Sequence, residues 1–364
     1  VEQHQVSAMV GRMLVPLSLT VPFFIVFLMD GIKGVKETFP AILVAAVSFT
    51  GTQFLSSNFL GAELPDIASA VVSLACTTIF LKFWKVKNVF RLDDVKDFTN
   101  HSKLSLGVVF KAWLPFILLI ACIVVWTQDW FKAFFKKGSV FDYTQVTMVF
   151  KNMESAIQNA AGNAVNLDLA FNLIALQGGT AILLAAVLTI LFLRIKLNVV
   201  EEALGDTLKE MAIPCITIGL VVAFAFISRN SGMSETLGRA FAESGNAFAF
   251  FSPIVGWLGV FITGSDTSSN LLFGTLQQVS AQQLGIKEAL FLAANSVGGV
   301  VGKMISPQSI AIACAAVGLV GRESELFRFT LKYSIGFILI IGVWTAIIAL
   351  FLNGIIPDIV PLAK

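Results

Sequence analysis

Between Thr263 and Ser309 the chain reads TGSDTSSNLLFGTLQQVSAQQLGIKEALFLAANSVGGVVGKMISPQS, which sets Asp266, Lys303 and a dense set of hydroxyl and amide side chains into an otherwise apolar sequence. A polar group left unpaired in hydrocarbon costs several kcal/mol, so such a cluster marks a pathway or a binding site more often than filler. Gly264 lets the backbone leave a helix, and Ser265, Asp266 and Thr267 are residue types that start the next one. A helix that begins inside a membrane aims unpaired N–H groups and the positive end of its dipole into any cavity there, which suits a small anion. Ser268, Ser269 and Asn270 would add side-chain donors. A second break is expected at Asn295, Ser296, Gly298 and Gly299, and a third at Ser306, Pro307, Gln308 and Ser309, where proline suits the first turn after a serine cap. One such break is explained equally well as a surface turn with capping residues. Three of them between 264 and 309, separated by apolar stretches too short to span, favour helix ends converging on one cavity.

Asp266 is the only acidic residue between Glu243 and Glu288. A lone carboxyl in an apolar stretch is a candidate proton carrier. Ionised, it would repel a bound carboxylate, so proton and anion would travel together; the plainer reading is a solvated cap. Lys303, in GGVVGKMISP, could pair with a substrate carboxylate or with Asp266, or could extend its head group to the membrane surface. The glycines beside it do not make a phosphate loop, because Val297 stands where the first glycine of GxxxxGK belongs and Met304 replaces the Ser or Thr. A second polar site is possible at SSNFLGAELPD, where Glu63 and Asp66 flank Pro65, although an external turn explains that segment better.

The elements that must position these groups are membrane helices. The sequence is 56% hydrophobic and 13% charged, with 33 Phe in 364 residues, and its mean hydropathy is +0.84. That is too apolar for an ordinary soluble domain. The net charge of +2 and the scatter of Lys and Arg between apolar runs give no basic face for nucleic acid. Cys76, Cys122, Cys215 and Cys314 all fall in apolar segments without CxxC spacing, and His4 and His101 lie outside them. No disulfide framework, metal site or cofactor is therefore expected. The chain begins at Val1 without a signal-peptide pattern and reads as a fragment.

Charge-free intervals predict helices at 12–29, 39–57, 64–81, 111–128, 169–193, 211–228, 246–263 and 333–356, with broken or re-entrant pieces in 264–321. Loop 82–111 carries Lys82, Lys85, Lys87, Arg91, Lys96, Lys103 and Lys111, whereas 61–66 carries no lysine or arginine. The charge bias puts the former in the cytoplasm. Counting onward places 194–210 inside and 229–243 outside, and loop 322–332 inside if three crossings, one of them broken, lie between. The expected organisation is residues 1–128 as the helices of a first half with cytoplasmic loop 82–111, 129–168 as an external variable loop, and 169–364 as a second transmembrane half carrying the helix breaks. The one internal echo is SSN followed by apolar residues and glycine, at Ser56–Gly61 and again at Ser268–Gly274.

At GSDTSSN, AANSVGGVVGKMISPQSIAIACAAVGLVGRESELFRFT and SSNFLGAELPD the chain resembles the bacterial L-lactate permease family, from about Met9 to its end except near 129–168. The resemblance implies import of lactate and glycolate with protons across the cell inner membrane, and an all-α, multi-pass helix bundle with inverted halves. Members of that family begin with roughly another third of chain and a GAAGFGAP-like motif that has no match here, so the chain resembles their C-terminal two-thirds. The family strings fall on Gly264–Asn270, Asn295–Lys303 and Ser306–Ser309.

The expected function is proton symport of small 2-hydroxymonocarboxylates. Ser265, Thr267, Ser268, Ser269, Asn270, Asn295, Ser296, Ser306 and Gln308 would bind substrate, Asp266 would carry the proton and Lys303 would balance charge. The same helix breaks could serve a sodium-coupled carboxylate transporter, and a non-transporting fragment of a permease is a third reading. An intramembrane hydrolase fits poorly, because there is no HExxH, no histidine in a span and no second intramembrane aspartate to pair with Asp266.

Overall fold

The computed structural model describes residues 3–86, 105–136, 138–148, 169–172, 174, 179–319 and 321–357. In chain order the helices are α1 (Gln3–Phe59), α2 (Pro65–Phe83), α3 (Leu106–Thr127), α4 (Asp129–Ala133), α5 (Gly179–Leu193), α6 (Leu197–Asn230), α7 (Met233–Ala242), α8 (Phe248–Thr263), α9 (Asp266–Leu284), α10 (Glu288–Gly302), α11 (Pro307–Ala316) and α12 (Glu323–Phe351). A two-stranded antiparallel ribbon, β1 (Gln145–Met148) with β2 (Leu169–Asn172), pairs Gln145 with Asn172. Among the described residues six helices are long and apolar enough to cross a membrane. Large apolar side chains such as Ile25, Ile32, Ile79, Phe83 and Ile262 face outward while Ser252, Ser269, Gln277 and Asn295 are fully buried. That distribution is inverted for a protein in water and suits one in lipid. The fold is an all-α, multi-pass transmembrane bundle.

The chain divides into two compact units, one of residues 1–90 with 217–364 and the other of residues 91–216. In the second unit α3 packs on α5 around Cys122, Trp126, Ala181 and Ala185. The Trp126 indole donates to the Ile174 carbonyl and to Thr180 Oγ1, both at 3.0 Å, which satisfies its N–H away from water.

In the first unit α1 is two arms rather than one rod. The backbone leaves helical values at Asp30 and Gly31, and the arms return antiparallel, since Ser7 Oγ donates to the Ser57 carbonyl (3.3 Å) and Ser18 Oγ to Gln53 Oε1 (2.6 Å). The helices expected at 12–29 and 39–57 are these arms, extended to Gln3 and Phe59. Sequence boundaries drawn at charges fall short for the same reason elsewhere. α6 starts at Leu197 inside the expected loop 194–210, and α12 starts at Glu323, because helices continue past the lipid where Glu, Lys and Leu are good helix formers. The helix expected over 169–193 begins only at Gly179, and 169–172 is strand. Most of loop 82–111 and of 129–168 lies outside the described residues.

The region 264–321 is broken, as expected, but not at every expected place. α10 runs unbroken through Asn295, Ser296, Gly298 and Gly299. Its glycines serve close packing instead: a Cβ on Gly298 would sit 1.8 Å from the Pro253 carbonyl oxygen, and one on Gly256 would sit 1.9 Å from that of Asn295. α8 and α10 therefore touch backbone to backbone, the small-residue contact typical of membrane helices. Phe248, Ala249, Phe291, Ala294 and Val297 fill the core beside it, with Ile341 and Ile348 of α12.

Candidate functional site

The geometry begins at the turn between α8 and α9. Gly264 closes α8 with φ 71°, a left-handed conformation that costs a residue with a Cβ and not glycine. Its N–H donates to the Val260 carbonyl at 2.7 Å. Ser265 then caps α9, its hydroxyl accepting from the Ser268 N–H at 3.3 Å. The N–H groups of Asp266 and Thr267 fall in the first turn, where helix geometry provides no partner. The turn is braced from below: Lys303 Nζ donates to the Gly264 carbonyl, and Gln308 Oε1 lies where a side chain on Gly264 would be, 2.6 Å from the position of its Cβ. Ser306 caps α11 by accepting from the Ser309 N–H at 3.3 Å, so the third expected break is present.

A cavity of about 720 Å³ with mixed polar and apolar walls lies beside this first turn of α9. Its walls are Gln3, Val6, Ser7, Val10, Gly11 and Leu14 from the first arm of α1, Gln53 and Ser57 from the second, Ala62 from the turn before α2, Pro65 and Asp66 from the start of α2, Asp266, Thr267 and Asn270 from α9, and Ser296 and Val300 from α10. Two helices, α2 and α9, thus present their N-terminal turns to one space. Asp66 and Asp266 are its acidic lining residues, and no lysine, arginine or histidine is among the residues that line it.

Behind the cavity a chain of hydrogen bonds holds these side chains in place. Asn270 Nδ2 donates to Asp266 Oδ2 (3.2 Å) and to Ser296 Oγ (2.9 Å), while Asn270 Oδ1 accepts from Asn295 Nδ2 at 2.7 Å. Asn295 Oδ1 accepts from Gln277 Nε2 (3.2 Å), and Gln277 Oε1 accepts from Ser252 Oγ (2.7 Å). Ser269 Oγ donates to the Gly256 carbonyl at 3.1 Å. Each amide is nearly saturated, which fixes its orientation in a low-dielectric interior. The exception is Asp266 Oδ1, which is buried without a hydrogen-bond partner. It lies against the bare backbone of Gly299, 2.0 Å from where a Cβ would stand.

Of the residues expected at a site, Asp266, Thr267, Asn270 and Ser296 line the cavity. Ser265, Ser268, Ser269 and Asn295 form the cap and the buried layer behind them. Lys303 and Gln308 meet at Gly264, and Ser306 caps α11 beside them in the chain; all three are outside the cavity lining. Sequence reasoning missed Ser252, Gln277, Ser7 and Gln53 and treated Ser57 and Asp66 as part of an outer turn. One signal was available: Asp266, Asn270 and Gln277 recur at helical spacing on one face of α9. A second cavity of about 390 Å³, between α1 and α12, is walled by Pro16, Phe24, Phe337, Ile340 and Trp344 and carries no charged group to meet an anion.

The model of the L-lactate permease family matches residues 1–352. The chain belongs to the L-lactate permease family. It is 47% identical over 368 residues to the L-lactate permease of Salmonella typhimurium, an alignment covering 98% of this chain and 66% of that protein. It is 48% identical to the L-lactate permease of Escherichia coli K12, again over 98% of the chain and 66% of the relative. Identity to the glycolate permease GlcA of the same bacterium is 44%, over 98% of the chain and 67% of that protein. The chain spans about two thirds of the length of the curated relatives it matches. No solved structure matches it.

Proposed function

We propose that the protein takes part in proton-coupled import of small 2-hydroxymonocarboxylates, lactate and glycolate, across the cell inner membrane. The observation that carries this reading is the first turn of α9, opening into the cavity with Asp266, Thr267 and Asn270 on its wall. The names of the relatives, L-lactate permease and glycolate permease, supply the substrate class. The free N–H groups of the turn and the hydroxyls of Thr267 and Ser296 would hold the carboxylate, with Asn270 directed at the substrate hydroxyl. A bound anion in a cavity that already holds two carboxyls and no cation needs a proton, and Asp266 is placed to carry it. Ser265, Ser268, Ser269, Asn295, Ser306 and Gln308 position these groups rather than touch substrate. Lys303, at the Gly264 carbonyl, braces the helix break and offsets charge from below.

Gradient-driven uptake tests the reading. Membrane vesicles carrying the protein are expected to accumulate labelled lactate when the outside is made acidic and to show no response to an inward sodium gradient at constant pH. Sodium-driven uptake would identify sodium coupling instead, and no uptake under either gradient would mark the chain as a non-transporting piece of a permease.

A further inference from the structure

Asp66 occupies a place in the cavity that the proposed transport reaction has not yet used. It stands in the first turn of α2, directly after Pro65, on a helix whose start is capped by no side chain. It is exposed, whereas Asp266 is half-buried with one oxygen sealed from solvent. Both line the same cavity. Between them the walls present only hydroxyl and amide side chains as polar groups, those of Ser7, Gln53, Ser57 and Thr267 among them. These groups orient water without trapping a proton, because none titrates near neutral pH.

We propose that Asp66 is the proton-entry residue of this cavity, collecting protons from water at its mouth and passing them to Asp266. The step is a plain transfer. Hydronium protonates the Asp66 carboxylate; the Asp66 O–H bond then breaks as cavity water carries the proton inward, and an O–H bond forms on Asp266, leaving Asp66 ionised. No oxidant or further reactant is required. The charge bias that puts loop 82–111 in the cytoplasm puts the turn before Pro65 outside, the side from which protons enter. Glu63, on that turn beside Gly61, Arg12, which donates to Asn58 Oδ1 at 2.9 Å and to the Ile355 carbonyl, and His4, next to Gln3, are further titratable or charged groups adjacent in the chain to residues of the lining.

This inference rests on Asp266 as the proton carrier, and the two can be tested apart. Proton-driven lactate uptake is measured in vesicles from pH 6 to pH 8.5 for the parent and for Asp66→Asn, Asp66→Glu and Asp266→Asn, with lactate exchange at equal pH measured alongside. A proton collector matters most when protons are scarce. Asp66→Asn is therefore expected to lose about tenfold of the parent rate at the alkaline end and little at the acid end, with exchange at or above the parent rate because one carboxylate fewer faces the anion, and with Asp66→Glu restoring the parent profile. An Asp66→Asn profile parallel to the parent at every pH would overturn the inference while leaving Asp266 in its role. Loss of exchange together with uptake at every pH would overturn it in favour of a substrate-binding or structural role for Asp66. Retained uphill uptake by Asp266→Asn would remove the reading on which it rests.

Discussion

Asp266→Asn is expected to lower uphill, proton-driven lactate accumulation by at least about 100-fold, the lower end of what a positioned proton-transfer group contributes, while lactate exchange persists. Asparagine keeps the size of the side chain and can occupy the same pocket beside Gly299 and Asn270, but it neither binds nor releases a proton. The cavity would then accept the anion with one carboxylate fewer facing it, which favours binding and exchange and removes the coupling. Counterflow of labelled lactate against unlabelled lactate separates the two, because it needs binding and reorientation but no net proton movement. Loss of both activities with normal folding would make Asp266 a substrate ligand or a structural cap. Unchanged accumulation would take it out of the mechanism.

The second large effect is structural. Gly298→Ala places a methyl group 1.8 Å from the Pro253 carbonyl oxygen. Backbone cannot rotate aside as a side chain does, so α8 and α10 must separate along their whole contact, and the packing of Phe248, Phe291 and Val297 separates with them. The expected cost is about 3 kcal/mol or more, the upper end for overpacking a tight core and a large part of the about 5–15 kcal/mol that holds a typical protein folded. Yield of detergent-extracted protein should fall several-fold, with a lowered melting temperature. Gly336→Ala is the control, since its Cβ would meet nothing within 4 Å, and it should behave as the parent. Equal stability of the two variants would mean that α8 and α10 are not in backbone contact.

These two glycine-rich stretches also show what a sequence can and cannot disclose in lipid. The break at Gly264 was legible because the glycine is followed at once by three capping residues, a combination with little other use inside an apolar run. Gly298 and Gly299 looked like a break for a related reason, with Asn295 and Ser296 just ahead, and are a packing face. Glycine serves both ends in a membrane helix, and only the partner helix decides between them. Likewise the two arms of α1 were legible as apolar intervals, but their antiparallel pairing was not, because it depends on Ser7, Ser18, Gln53 and Ser57 meeting across 35 to 50 residues of chain. Such residues look like incidental polar groups in a helix until a neighbour is known.

The site itself was half legible. Asp266, Thr267 and Asn270, read from the polar cluster, line the cavity, and so does Asp66, which was read as part of an outer turn, since nothing local tells a turn at the membrane surface from one that closes a cavity. Ser252 was overlooked because a serine in an apolar helix carries no signal alone, and Gln277 because it is one of several glutamines in α9. Their role is visible only as a relay of hydrogen bonds through Asn295 to Asn270. Lys303 was open between pairing with a substrate carboxylate, pairing with Asp266 and reaching the membrane surface, and its head group donates to the Gly264 carbonyl.

The central claim is that the cavity at the start of α9 is where the anion sits. In protein freed of Cys76, Cys122, Cys215 and Cys314, single cysteines at Thr267, Ser296 and, as a control on α7, Thr236 can be labelled with a small water-soluble thiol reagent. Saturating lactate is predicted to slow labelling at positions 267 and 296 about tenfold or more, as expected when most sites are occupied, and to leave position 236 unaffected. Equal labelling with and without lactate at both cavity positions, in protein that still transports, would contradict the account.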